Sequence, residues 1–290
     1  MAKRTWIFLF VLPFLVGWAN VGQSAERHEL SLRFYGTRPA VEVRVNGQGP
    51  FLFLVDTGAA GPAARADASL VRRLSIRPKG TTQASDAGRA ATTSIDEVTL
   101  ASVEIGGVTM RDVEALSRDY GTQTYLPKID GILGVNFFRD WLLTIDYGRR
   151  RLIIEKGELP RPDGRSVLSY ELIEGNLFIP VRIGKQSMKL LVDTGNIRAL
   201  DLPSAWLRPL RLESFPRLAG NSTGASGTTP IREVQLADPL VIGMHIFAKP
   251  EITFSDDFAE ANVGSSLLQN FIITLDQRNQ RLRLVRSRLP

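Results

Sequence analysis

Two aspartates sit in the same five-residue setting. Residues 51–58 read FLFLVDTG and residues 188–195 read MKLLVDTG, so Leu-Val-Asp-Thr-Gly occurs at Asp56 and again at Asp193, 137 residues later. A single Asp-Thr-Gly is ordinary turn chemistry. Two copies in repeated surroundings point to carboxyls that face each other when two halves of the chain pack about a twofold axis. An ionised aspartate is costly to bury alone. Two carboxyls about 3 Å apart cannot both ionise easily and instead share a proton. The ionised member can take a proton from water, and the protonated member can donate to a carbonyl oxygen. Such a pair activates water against an amide, and its pKa values belong to the pair and not to either residue.

The composition leaves few other catalytic groups. There is no cysteine, which excludes disulfides, cysteine-ligated metals and a thiol nucleophile. The two histidines, His28 and His245, lie 217 positions apart and offer little to a Ser–His–Asp triad or a multi-histidine metal site. No cofactor and no metal site is expected. Hydrophobic residues at 43% and charged residues at 23% mark a globular chain and not a disordered one. The net charge of +6 is scattered apart from Arg149–Arg150–Arg151. No nucleic-acid motif accompanies it, so nucleic acid is not an expected partner.

The elements that must carry the two aspartates are also repeated. Val41, Val43 and Val45 alternate into Asn46–Gly47, a hairpin signal. Ile179, Val181 and Ile183 alternate into Gly184–Lys185. Each half closes on a second shared block. Residues 134–154 align without a gap on residues 264–284 at an offset of 130, with Gly134 on Gly264, Thr144 on Thr274 and Asp146 on Asp276. Each block reads as a short helix, a strand, a turn and a strand. Asp146 and Asp276 lie between two strands and read as hairpin-turn residues. Other strands are expected at Ser94–Leu100, Val103–Ile105, Leu236–Ile242 and Ile246–Phe247. One short helix is expected over Asp67–Leu74, with Asp67 as its N-cap. Many short strands with few helices predict an all-β chain of barrel or sandwich type. The Pro- and Gly-rich residues 157–166 form a linker, dividing an N-terminal lobe, 26–158, from a C-terminal lobe, 159–290.

Residues 1–25 read as a secretory signal peptide. Lys3 and Arg4 precede an apolar run from Trp6 to Val16, and small residues follow. Cleavage fits after Ala19 or after Ala25. The expectation is export to the periplasm or the extracellular space, with no membrane span beyond the leader.

Hydrophobic–hydrophobic–Asp-Thr-Gly, followed later by two apolar residues and glycine, is the signature of the aspartic peptidases, and the chain resembles that family. Lobe 1 carries Leu54-Val55-Asp56-Thr57-Gly58-Ala59 and then Ile132-Leu133-Gly134. Lobe 2 carries Leu191-Val192-Asp193-Thr194-Gly195. The likeness is greatest to retropepsin-like bacterial proteins with two fused lobes. It implies the acid-protease fold, two homologous β-barrel-like lobes about a pseudo-twofold axis. It implies Asp56 and Asp193 as the catalytic dyad. Thr57 and Thr194 would bond across the lobe junction, while Gly58 and Gly195 let the two loops meet. Ala59 and Asn196 follow the glycines and are placed with the substrate-binding residues. One chain supplies both aspartates, so a monomer suffices. Two departures fall in lobe 2: Asn196 replaces the usual Ala, Ser or Thr, and Asn262-Val263-Gly264 replaces apolar–apolar–Gly.

The family closes hairpin flaps over its substrate. The counterparts are about Thr81–Glu97, with its tip at Ser85, Asp86, Ala87 and Gly88, and Gly220–Thr229. Tyr120 and Tyr125 flank a loop that would suit a subsite. The function expected is an exported aspartic endopeptidase acting on a peptide or protein substrate. A peptide-binding protein of the same fold with a weak or dead dyad is the alternative. A two-carboxylate glycosidase needs carboxyls about 5 to 9.5 Å apart, which the symmetric repeat argues against.

Overall fold

Asn46 and Gly47 turn the chain between the strands Arg38–Val45 and Gln48–Asp56. Both take positive φ, 51° and 72°, as a two-residue hairpin turn requires. The strands pair with Ala40 opposite Leu54, and Asp56 ends the second of them. The same device recurs at Asn176–Ile183 and Gln186–Asp193, joined at Gly184–Lys185 with Phe178 opposite Leu191. The computed structural model describes residues 26–85, 92–119, 128–224 and 227–287. The expected leader lies outside them.

The chain is all-β, as expected, with three sheets and a few short helical turns. One eight-stranded sheet is built from residues 33–134. In it Arg38–Val45 also pairs with Thr92–Ile105, so the sheet curls back on itself. A ten-stranded sheet is built from residues 171–264. Each sheet carries its aspartate in one arrangement. Gln48–Asp56 runs parallel to Gly131–Gly134, with Asp56 beside Gly134. Gln186–Asp193 runs parallel to Asn262–Gly264, with Asp193 beside Gly264.

The third sheet joins the two halves. Leu142–Asp146 pairs antiparallel with Phe271–Asp276, placing Leu142 opposite Asp276 and Thr144 opposite Thr274. Each position thus faces the counterpart of its own mirror position, and a twofold axis passes between the two threonines. Their Oγ1 atoms lie 2.9 Å apart and are buried. Leu143, Ile145, Ile273 and Leu275 flank them in one core shared by both halves. Each such side chain contributes about 1.5–3 kcal/mol by leaving water.

Local expectations met mixed outcomes. The helix Ala68–Arg73 forms, and the Asp67 side chain accepts from the Ser69 amide as its N-cap. Asp146 and Asp276 cap their turns by accepting from the amides of Arg149 and Asn279. Ser94–Leu100 and Val103–Ile105 are not two strands but one, Thr92–Ile105, because its partner Val108–Arg118 runs unbroken beside it. Only Leu240–Ile242 of the stretch 236–242 is a strand. Asp238 leaves the ladder to bind Arg211, and Pro239 lacks an amide hydrogen to donate. Residues 157–166 are exposed except for buried Leu159 and half-buried Ser166; the Leu159 amide donates to Asp276 Oδ2 at 2.9 Å. No helix of the described residues is long and apolar enough to cross a membrane.

Candidate active site

Asp56 and Asp193 emerge from buried strands at the junction of the two halves. Val55 and Val192 are fully buried behind them. The next residue in each loop locks the two together. Thr57 N donates to Thr194 Oγ1 at 3.0 Å, and Thr194 N donates to Thr57 Oγ1 at 3.1 Å. Each hydroxyl then donates across the junction, Thr57 Oγ1 to Val192 O and Thr194 Oγ1 to Val55 O, both at 2.7 Å. Thr57 and Thr194 are almost wholly buried, so this four-bond grip works in a low-dielectric setting.

The glycines that follow are required by space. A Cβ on Gly58 would overlap the Asp193 carboxyl, and a Cβ on Gly195 would overlap the Asp56 carboxyl. Each carboxyl therefore lies against the opposite loop, close enough for the charge of Asp56 to act on Asp193. Asp193 is buried, while Asp56 is half-buried. Burial first, and the like charge of Asp56 second, push the Asp193 carboxyl well above the usual carboxylate range. Donation from Asn262 opposes them. A proton held between two close carboxyls is the chemistry of a general acid–base pair.

Three further groups face the pair. Arg38 and Asn176 hold matching positions, two residues before Ala40 and Phe178, which pair with Leu54 and Leu191 just ahead of Asp56 and Asp193. Arg38 Nε and Asn176 Oδ1 are both buried and unpartnered among the described residues. Burial lowers the Arg38 pKa, and the charges of Asp56 and Asp193 draw it back up. The third group is Tyr147, whose hydroxyl is also buried without a partner among the described residues. Burial raises its pKa, and Asp193 and Asp56 raise it further. None of the three carries a motif. Arg38 and Asn176 were findable only by extending the hairpin register. Tyr147 directly follows a turn aspartate and gave no signal.

Other expected site residues are placed less centrally. Ala59 is buried with Tyr35, Ala40, Leu54 and Ile132. Both amide atoms of Asn196 are engaged within the chain. Ser85 ends the strand Gly80–Ser85, which forms a hairpin with Thr92–Ile105. Asp86, Ala87 and Gly88 lie outside the described residues, as do Tyr120 and Tyr125. In the second half Arg217–Gly224 and Gly227–Gln235 pair as the counterpart hairpin.

The histidines stand apart from the pair. His28 is half-buried against Trp141 and bonds to the Gly106 carbonyl. The edge strand Arg27–Ser31 holds it there. His245 begins a strand, is buried against Phe271 and bonds to Leu284 O. Among the described residues no group of three or more His, Cys, Asp or Glu side chains forms a cluster fit for a metal ion.

No curated protein matches the chain. A family model does: residues 41–137, which hold Asp56 and Ile132-Leu133-Gly134, match the aspartyl protease family. That segment, with its buried Asp-Thr-Gly loop, is similar to the aspartyl proteases, and residues 138–290 lie outside the match.

Proposed function

We propose that this chain is an exported aspartic endopeptidase that hydrolyses peptide bonds by activating water between Asp56 and Asp193. The observation that carries the reading is the reciprocal seating of the two carboxyls against Gly195 and Gly58. It is backed by the Thr57–Thr194 grip and the family match of the first half. One carboxyl of the pair takes a proton from water while the other donates to the substrate carbonyl oxygen. Carboxyls in contact leave no room for the sugar ring and water that glycosidases place between theirs. In this reading lobes 26–158 and 159–290 arose by internal duplication, a monomer is sufficient, and the hairpins near 81–97 and 220–229 close over an extended peptide held by main-chain hydrogen bonds. Residues 1–25 support export to the periplasm or beyond.

The test is cleavage of a mixed peptide library by residues 26–290 from acid to neutral pH, beside Asp56→Asn and Asp193→Asn. The expected result is cleavage by the native chain alone, with a bell-shaped dependence of kcat/KM on pH. A folded native chain that cleaves nothing at any pH would leave a peptide-binding protein of this fold.

A further inference from the structure

Asp193 is held differently from Asp56. Its Oδ1 accepts from the amides of Gly195 and Asn196 at 2.9 and 3.0 Å, and its Oδ2 accepts from Asn262 Nδ2 at 2.8 Å. The Asp56 carboxyl accepts from one such donor among the described residues, the Gly58 amide at 2.9 Å. The additional side-chain donor is the end of a network with one polarity. The Arg198 guanidinium donates to both oxygens of Asp201, at 2.6–2.9 Å. Asn196 Nδ2 donates to Asp201 Oδ2 at 2.9 Å and to Asn262 Oδ1 at 3.2 Å, while Asn196 Oδ1 accepts from the Arg198 amide at 3.0 Å. With Asn262 Oδ1 already accepting, its Nδ2 is the atom left for Asp193.

The first half has no such network. Asn262 pairs with Asp201 across two antiparallel strands, and the corresponding pair is Ile132 with Arg65. Ile132 cannot donate, and Arg65 turns to the Ala60 carbonyl at 3.1 Å. The two departures from the family signature, Asn196 and Asn262, are therefore neighbours in one device.

We propose that Asn262 is a positioning residue that orients the Asp193 carboxyl toward Asp56 and eases release of the proton that the pair shares. Three donors favour the ionised form of a carboxyl over the one that Asp56 receives. The charged and titratable groups that face Asp193 are Asp56 across the junction, Asp201 behind the network, and Arg38 and Tyr147 from the first half. Burial and Asp56 favour the neutral form; Asn262 and Asn196 oppose them. The catalytic consequence rests on the peptidase reading. Water oxygen attacks the carbonyl carbon, its proton passes to the ionised carboxyl of the pair, and the carbonyl oxygen takes the proton that the other carboxyl holds. Breakdown then breaks the C–N bond as nitrogen takes the proton gained by the first carboxyl, and a hydroxyl of the intermediate returns one to the second.

The test is a 13C titration of the aspartate carboxyls in residues 26–290, with Asp56→Asn and Asp193→Asn assigning the two signals. The native chain gives the reference position of the Asp193 step. In Asn262→Leu that step should move up by about one pH unit, a tenfold change in proton affinity, with thermal unfolding confirming the fold. Asn196→Ala, which frees Asn262 Oδ1, should shift the same step in the same direction by less, and it decides the matter if Asn262→Leu does not fold. An Asp193 step that is unmoved, or moves down, in the folded variant overturns the proposal. The titration needs no substrate. A shift as stated in a chain whose native form cleaves no peptide overturns the peptidase reading alone. One that cleaves peptide while Asn262→Leu leaves the Asp193 step in place overturns this inference alone.

Discussion

Thr57 and Thr194 exchange backbone donors and side-chain acceptors across the axis, each amide bonding to the other's hydroxyl at 3.0–3.1 Å. Because each hydroxyl also donates to a carbonyl of the opposite strand, every polar group of the grip depends on the other half. The grip sets the separation of the carboxyls one residue before it. Loss of one hydroxyl is therefore felt on both sides.

Thr57→Val keeps the shape and removes the hydroxyl. It leaves the Thr194 amide and the Val192 carbonyl buried without partners, each costing about 1–3 kcal/mol. The expected loss is about 2–5 kcal/mol, read as a lower urea midpoint at unchanged slope. Thr57→Ser should recover most of it. A Thr57→Val chain as stable as the native one would show that the grip is not what holds the loops.

Asp193 makes stability depend on pH. Its folded pKa lies above the ordinary aspartate value of 3.8 through burial and the charge of Asp56. Between those two values the folded chain keeps a proton that the unfolded chain has released, so the free energy of unfolding falls as pH rises through the window. The loss is about 1.4 kcal/mol for each unit of the shift. In Asp193→Asn this contribution disappears, and its unfolding free energy should change less with pH from about 4 to neutral. The hydrogen bonds that the amide loses are lost at every pH, so the slope is the diagnostic quantity. Parallel slopes for the two chains would mean that Asp193 is not raised in the fold.

Much of this site was legible because repeated sequence makes repeated geometry. The two Leu-Val-Asp-Thr-Gly segments and the blocks around Asp146 and Asp276 pointed to the strands, the axis and the carboxyl pair, since period-two patterns and turn residues act locally. Asn262 was legible only as a polar residue where Ile132 stands in the other half. That its amide reaches Asp193 depends on a parallel pairing with residues 191–193, which no local pattern encodes. Arg38 likewise acquires its place from the hairpin register, and Ala59 its burial from Tyr35 and Ile132, which approach from other strands.

The junction away from the aspartates rests on Thr144 and Thr274, whose hydroxyls bond at 2.9 Å in the core. Thr144→Val strands the Thr274 hydroxyl with only a 3.3 Å contact from Arg283, at a cost of about 1–2 kcal/mol. Replacing both by Val removes the two groups together. The double variant should be no less stable than the single, so a double-mutant cycle in urea should give a coupling of about 1 kcal/mol. A double variant whose loss equals the sum of the singles would show that the pair does not interact.

Arg38 supplies positive charge beside the aspartates without an ion pair, since among the described residues its side chain makes no salt bridge or hydrogen bond. Its charge favours their ionised forms, reciprocally to their effect on it. A direct ion pair lowers a carboxyl by roughly 1–3 units; at this longer range about 0.5–1 unit is expected. Arg38→Met keeps the aliphatic stem and removes the charge. If the chain cleaves peptides, both limbs of its kcat/KM profile should then move upward in pH, because losing a cation makes every proton on the pair harder to release. A hydrophobic replacement that acted only by packing would change the height of the profile and leave both limbs in place. Salt gives a second check: raising ionic strength should move the native limbs upward by more than it moves those of Arg38→Met, since only the native chain has that charge to screen.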